Sequence, residues 1–235
     1  MIVFDGRAIL LDVEGTTSSI AFVYDVLFPF ARAHAGSFLA AHRGDAELRR
    51  LAAELRAEAG DATDPGDDWP AATARAALAL MDRDAKTTAL KTLQGLVWRH
   101  GFESGELVAH VYDDVPAALA AWADSGLDVR IYSSGSVEAQ RLFFGYTAHG
   151  DLTRFLRGHY DTTTGPKRDP ESYRRIAADI GLEPRQILFV SDVGAELDAA
   201  RTAGMATAAA DRPGNRPVDA ELDHDTVTSF AEIVT

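Results

Sequence analysis

Six residues in this sequence are of the types that handle phosphoryl groups, and they fall where strand-like runs end: Asp12 with Glu14, Ser133 with Ser134, Lys167, and Asp192. Asp12 closes the apolar run Ile9-Leu10-Leu11, which is too short for a helix and reads as a buried strand. Gly15 turns the chain away and keeps Asp12 and Glu14 close, while Thr16 and Thr17 add hydroxyls and main-chain N–H groups. Two carboxylates from different strands, Asp12 and Asp192, suit one hard divalent cation. Mg²⁺ fits such a site because it keeps waters and takes phosphate oxygens as its remaining ligands. At ~4 Å and an effective dielectric near 20, like unit charges repel by roughly 4 kcal/mol, so a phosphate arriving among these acids needs both the cation and Lys167. The serine hydroxyls and loop N–H groups would hold the equatorial oxygens as charge spreads onto them. Asp12 is then a nucleophile able to form an aspartyl-phosphate, and Glu14 an acid for the leaving oxygen and later a base for water. Glu196 and Asp198 follow Asp192 closely and are expected at the same edge.

The elements that would bring these residues together follow from the hydrophobic pattern. Helical spacing over residues 114–124 leads into Val129, Ile131 and Tyr132, a second strand that ends in Ser133, Ser134 and Gly135. A helix near 136–145, a strand-like piece at 158–162, a helix at 170–180, the run Ile187-Leu188-Phe189-Val190, a helix at 194–203 and a small strand at 205–209 continue the alternation. Such βα alternation predicts a parallel α/β sheet with helices on both faces, and in a parallel sheet all the strand tips share one edge. Roughly ninety residues separate the first strand from the helix before the second, far more than a crossover needs. The excess reads as helices: a run through Ile20, Val23, Leu27 and Phe30 that Pro29 interrupts, then 45–59, 71–83 and 85–99. Residues 60–70 form an acidic loop whose carboxylates lack calcium-loop spacing. The expected division is an α/β core of residues 1–18 and 111–235, with an inserted helical domain of 19–110 lying over Asp12 as a cap that excludes water.

Composition narrows the function. The chain has 235 residues, 46% of them hydrophobic, and can bury a sizeable core. Lys and Arg number 23 against 36 Asp and Glu, a net charge of −13 with no basic run, which argues against nucleic acid or an anionic membrane as partner. The absence of cysteine excludes disulfides, thiolate metal sites and a Cys nucleophile. No apolar stretch approaches the ~20 residues of a membrane span and no signal peptide is evident, so a cytoplasmic protein is expected. The seven histidines show no metal-binding spacing, although His110 and His159 are worth following.

The strand-end motifs resemble those of the haloacid dehalogenase-like phosphohydrolases, with Glu14 standing where most phosphatases of that superfamily carry Asp. The stretch from Leu11 to Ala31 narrows the resemblance to the enolase-phosphatase (acireductone synthase) family. So do Leu90 to Gly95 with Trp98, His110 to Val115, Tyr132 to Gln140, Lys167, Ser172-Tyr173, Ser191 to Val193 and Arg212 to Asn215. The resemblance implies 2,3-diketo-5-methylthiopentyl-1-phosphate as substrate, enolised and then dephosphorylated to the acireductone in methionine salvage. It also implies Mg²⁺ as sole cofactor and action as a monomer. Carried onto this sequence, the metal would be held by Asp12, Asp192 and Glu14, the last through its main-chain carbonyl, and the substrate by Ser133, Ser134 and Lys167. Glu14 is then the first candidate for the enolising base, with His110 second. Phe22, Leu93 and Trp98 are candidates for contact with the methylthio tail, the last two equally readable as core.

Overall fold

The computed structural model describes residues 1–61, 63–215 and 223–235. In chain order the strands and α-helices are β1 (Ile2–Val3), β2 (Ala8–Leu11), α1 (Ile20–Phe22), α2 (Phe28–Ala41), α3 (Ala46–Glu58), α4 (Trp69–Asp82), α5 (Thr88–Ser104), α6 (Val115–Asp124), β3 (Asp128–Tyr132), α7 (Val137–Gly145), β4 (Gly158–Tyr160), α8 (Pro170–Ile180), β5 (Ile187–Ser191), α9 (Gly194–Thr202), β6 (Ala206–Ala210), β7 (Asp225–Val227) and β8 (Ile233–Val234). The chain divides into two compact units, Met1–Val23 with Val108–Thr235, and Tyr24–Leu107.

The first unit is built on a six-stranded, all-parallel sheet in the order β4-β3-β2-β5-β6-β7. Every residue of β2 and β5 is buried, which is why both read as uninterrupted apolar runs and not as alternating ones. Strand order runs outward from β2 in both directions, through β3 and β4 on one side and β5 and β6 on the other. The crevice beyond the carboxyl ends of β2 and β5 is therefore the topological switch point where ligands bind in open α/β sheets. Right-handed crossovers put the helices on both faces of such a sheet. One packed layer joins Leu10, Tyr132 and Phe189 of the sheet to Tyr173 and Ile176 of α8 and Leu197 of α9. The short β1 pairs with β8, bringing Ile2 beside Ile233.

The second unit is helical. Leu39 of α2, Leu55 of α3, Leu80 of α4, and Leu90, Leu93 and Val97 of α5 form its core. Leu93 is fully buried there and Trp98 is half-buried, its indole N–H donating to the Leu27 carbonyl at 2.7 Å. Helical backbone continues from Ile20 to Ala41, and Pro29 lies just past the point where its α-helical pattern is interrupted. The chain passes through a π-helical turn at Val23–Leu27 and α2 starts at Phe28, with Pro29 in the first turn. In the acidic loop, Asp61 accepts from the main chain and hydroxyl of Thr63, and Asp64 from Gly66 N–H, so these acids close turns; Ala62 lies outside the described residues.

Candidate active site

Asp12 follows the last residue of β2, and its N–H donates to Val190 O across to β5. The register Leu11↔Val190 sets Asp12 beside Ser191 and puts Asp192 one residue further out. On the other side Leu11↔Ile131 sets Ser133 just beyond the end of β3. Backbone pairing alone thus collects Asp12, Ser133 and Asp192 at one edge.

Lys167 arrives from the connection between β4 and α8. Three hydroxyls pin its segment: Tyr132 donates to Gly165 O at 2.9 Å, Ser172 to Pro166 O at 2.8 Å and Tyr173 to Lys167 O at 2.7 Å. Gly165 adopts φ +146°, and a Cβ there would lie 2.2 Å from Ser172 Oγ. With its backbone held, the Lys167 ammonium reaches Asp12 Oδ1 at 2.6 Å and Glu196 Oε2 at 2.5 Å. The three side chains are 10%, 6% and 12% exposed, so the pairing is shielded from water and salt. Burial alone would push the Lys167 pKa down, but the charges of Asp12 and Glu196 outweigh it and hold it above the usual lysine value. Ser191 Oγ donates to Glu196 Oε2 at 3.1 Å and lies 3.5 Å from Asp12 Oδ2.

Asp192 is placed by Thr16, whose Oγ1 accepts the Asp192 N–H at 3.1 Å. Its carboxyl is pushed up to about 7, first by burial and then by the charge of Asp12. Glu196 is raised for the same two reasons, with Lys167 opposing. Three carboxyl groups thus stand around one ammonium that pairs with two of them, so negative charge is in excess where a phosphate would have to arrive. Among the described residues Asp192 Oδ1 is buried with no hydrogen-bond partner. An orphaned carboxylate oxygen in an excess of negative charge is what a site for a hard cation looks like before the cation binds, so these residues fit a divalent metal. Among the described residues no group of three or more His, Asp or Glu side chains could hold a metal unaided. Asp12 and Asp192 bring carboxylates from two strands, and so few side-chain donors suit an ion that keeps waters.

Glu14 is half-buried on the same loop, which closes through Gly15 N–H to Ser18 O at 2.7 Å. Ser133 is buried, its Oγ accepting Gly135 N–H at 3.2 Å, whereas Ser134 is exposed. Among the described residues neither serine hydroxyl bonds to Asp12, Lys167 or Asp192.

Other expectations turn out differently. Asp198 points away from the site and is exposed, pairing with Arg201 at 3.0 Å and His224 at 3.1 Å. Glu196 and Asp198 are two residues apart on α9, which sets them about 200° apart around the helix, so only one can face the strand tips. His110 Nδ1 accepts the Ser19 N–H at 3.2 Å and lies 3.2 Å from Ser18 Oγ. A main-chain N–H can only donate, so neutral His110 carries its proton on Nε2, and burial holds its pKa below the usual value. His159 is lowered to about 4 by burial and by Arg141, and lines a cavity of about 580 Å³ with Arg141 and Arg157; none of the strand-tip acids lines it. That cavity and the strand-tip cluster are therefore separate places.

Sequence reading gave no role to Glu196, Ser191 or the three hydroxyls that hold Lys167. No sequence signal singled out Glu196: Asp192 precedes α9, which begins at Gly194, so whether Glu196 or Asp198 faces the strand tips depends on the phase of that helix. The hydroxyls gave none either, since Tyr132 meets a carbonyl 33 residues away.

Comparison with known proteins bears on this arrangement. A family model described as haloacid dehalogenase-like hydrolase matches residues 7–204. An enolase-phosphatase E1 of Thioalkalivibrio sulfidiphilus is 50% identical over 209 residues, 89% of this chain and 91% of that protein. One of Drosophila mojavensis is 45% identical over 92% of this chain and 89% of its own. Among solved structures, the UTR4 protein of Saccharomyces cerevisiae superposes with a TM-score of 0.82 at 34% identity, covering 96% of this chain and 99% of its own. A dehalogenase at 22% identity and a TM-score of 0.58 shares the fold alone. By the family-model and enolase-phosphatase matches over most of its length, and with Asp12 at the tip of β2 and Ser133 beyond β3, this chain belongs to the haloacid dehalogenase-like hydrolases and, within them, to the enolase-phosphatases.

Proposed function

We propose that this enzyme is a Mg²⁺-dependent enolase-phosphatase of methionine salvage, converting 2,3-diketo-5-methylthiopentyl-1-phosphate to the acireductone and phosphate. The substrate assignment draws on the nearly full-length likeness to proteins named enolase-phosphatase E1. The observation that carries the chemistry is the Lys167 ammonium lodged between Asp12 and Glu196 at the tip of β2, beside the orphaned Asp192 carboxylate oxygen. The carboxylates of Asp12 and Asp192 and the main-chain carbonyl of Glu14 would hold Mg²⁺, which when bound supplies positive charge and polarises substrate oxygens.

The residues divide the work. Asp12 attacks phosphorus, forming an aspartyl-phosphate as the bond from phosphorus to the enol oxygen breaks. Glu14 gives a proton to that leaving oxygen and then takes one from the water that attacks the phosphorylated Asp12, which restores the Asp12 carboxylate. Lys167 offsets the charge gathered on the equatorial oxygens, and the hydroxyls of Ser133 and Ser134 orient them. For the earlier enolisation we assign the base to Glu14: its carboxylate takes the C1 proton while the C2 oxygen gains one from solvent, the proton so acquired is the one later given to the leaving oxygen, and the proton taken from water is shed to solvent before the next cycle. His110 is the weaker choice, because its Nε2 holds the proton and its Nδ1 is occupied by Ser19 N–H. The protein is taken to act as a cytoplasmic monomer without nucleic-acid or membrane partners. Its net charge of −13 supports the first exclusion, and no described helix is long and apolar enough to cross a membrane.

The test is to incubate the purified protein with the diketo phosphate, with and without Mg²⁺, while following released phosphate and acireductone absorbance together. Both signals are expected, and only with the metal. Hydrolysis of small sugar phosphates without either signal would leave the phosphatase chemistry standing and remove the substrate assignment.

A further inference from the structure

Asn215 lies outside the machinery assigned so far, yet it touches two parts of it. Its Nδ2 donates to Gly15 O at 2.7 Å and lies 3.5 Å from Asp192 Oδ2. The packing is close: a Cβ on Gly15, whose φ is +78°, would sit 2.3 Å from Asp192 Oδ2 and 2.9 Å from Asn215 Nδ2. One amide therefore holds both the Gly15–Thr16 peptide, one residue past Glu14, and the Asp192 carboxylate. Because Gly15 O accepts only from an N–H, the amide has a single orientation, and its Oδ1 is left as an acceptor. Among the described residues that Oδ1 is buried without a partner, and so is Asp192 Oδ1. Buried acceptors are rarely left unmatched, and here two neighbouring side chains each carry one.

A cation held by Asp192 that kept a water would satisfy both, the cation meeting the Asp192 oxygen and the water donating to Asn215. We propose that Asn215 is a positioning residue of the cation site, its Nδ2 fixing Gly15 and Asp192 and its Oδ1 accepting from a water of the bound cation. This rests on the Mg²⁺ reading above. Such outer partners of metal sites are worth 10- to 100-fold in affinity.

The experiment measures Mn²⁺ binding by the electron paramagnetic resonance signal of the free ion, with Mg²⁺ as competitor, alongside the melting temperature of the metal-free protein. It uses the wild type, Asn215→Ala, Asn215→Asp and Asp192→Asn. The wild type should bind one Mn²⁺ and Asp192→Asn should lose it. Asn215→Ala should bind about 10- to 100-fold more weakly with the metal-free melting temperature little changed, and Asn215→Asp, which keeps an acceptor oxygen, should recover part of the loss. Wild-type affinity in Asn215→Ala overturns the proposal, as does an Asp variant no tighter than the Ala variant. A wild type that binds no Mn²⁺ overturns the Mg²⁺ reading itself, and the Asn215 role with it.

Discussion

Replacing Lys167 by methionine keeps most of the side-chain volume and removes the charge, which isolates the electrostatic role of this residue. The ammonium lies 2.6 Å from Asp12 and 2.5 Å from Glu196, all three side chains nearly buried. At an effective dielectric of about 20 each pair has a gross attraction of about 6 kcal/mol. Desolvation offsets most of that, and removing one partner of a buried pair typically costs about 3–5 kcal/mol because an uncompensated charge remains. We expect Lys167→Met to lose about 3–5 kcal/mol of unfolding free energy at pH 8.5. Glu196 is already raised by burial and by Asp12, with Lys167 opposing, so the substitution lifts its folded pKa further. A carboxyl whose pKa is higher folded than unfolded favours the folded state below the unfolded value near 4.3, and this contribution disappears as pH climbs through the folded value. The deficit should therefore be smaller at pH 5 than at pH 8.5, and Lys167→Met/Glu196→Gln should regain part of it. Urea unfolding of the wild type and the two variants at both pH values measures this. A Lys167→Met protein within 1 kcal/mol of wild type at pH 8.5, or with the same deficit at both pH values, refutes the reasoning.

Further outcomes follow from the same geometry. Asp12→Asn should fold normally and release no phosphate; a tenth of the wild-type rate would exclude Asp12 as nucleophile. Glu14→Gln should slow aspartyl-phosphate formation most for esters with poor leaving groups, and equal slowing across a leaving-group series in rapid-quench assays would remove its proton-transfer role. With Asp192 raised to about 7, the metal-free protein should lose stability as pH rises from about 4 to 7, by up to a few kcal/mol. Asp192→Asn should abolish that loss together with any gain in melting temperature from Mg²⁺, which a pH series of thermal melts would check. Gly165→Ala puts a Cβ 2.2 Å from Ser172 Oγ and should cost about 1–3 kcal/mol while lowering kcat/KM, since Lys167 sits two residues on. Unchanged stability and kinetics would show that the segment tolerates the shift.

What could be read from the sequence was set by burial and distance. β2 and β5 are covered on both faces, so Ile9-Leu10-Leu11 and Ile187 to Val190 stand out as continuous apolar runs, and the polar residues ending them mark the site. β1 and β8 are two residues long, and β7 is the polar-edged Asp225–Val227; none carries enough pattern to register. Helix α2 was obscured because Pro29 breaks a pattern as readily as it starts one. Asp192 was legible from its place after a strand, whereas separating Glu196 from Asp198 required the phase of α9, which depends on packing. The hydroxyls of Tyr132, Ser172 and Tyr173 look like core and cap residues in sequence. Their work on the Lys167 segment exists only once α8 and β3 have packed together.

The most direct measurement mixes the enzyme with Mg²⁺ and the diketo phosphate, stops the reaction with acid within milliseconds, and maps the phosphorylated residue by mass spectrometry of tryptic peptides. The account predicts a hydroxylamine-sensitive phosphoryl group on Asp12, in the peptide that begins at Ala8, and none in Asp12→Asn. Phosphate release at full rate with no phosphoenzyme, or a phosphoryl group on any other residue, would contradict it.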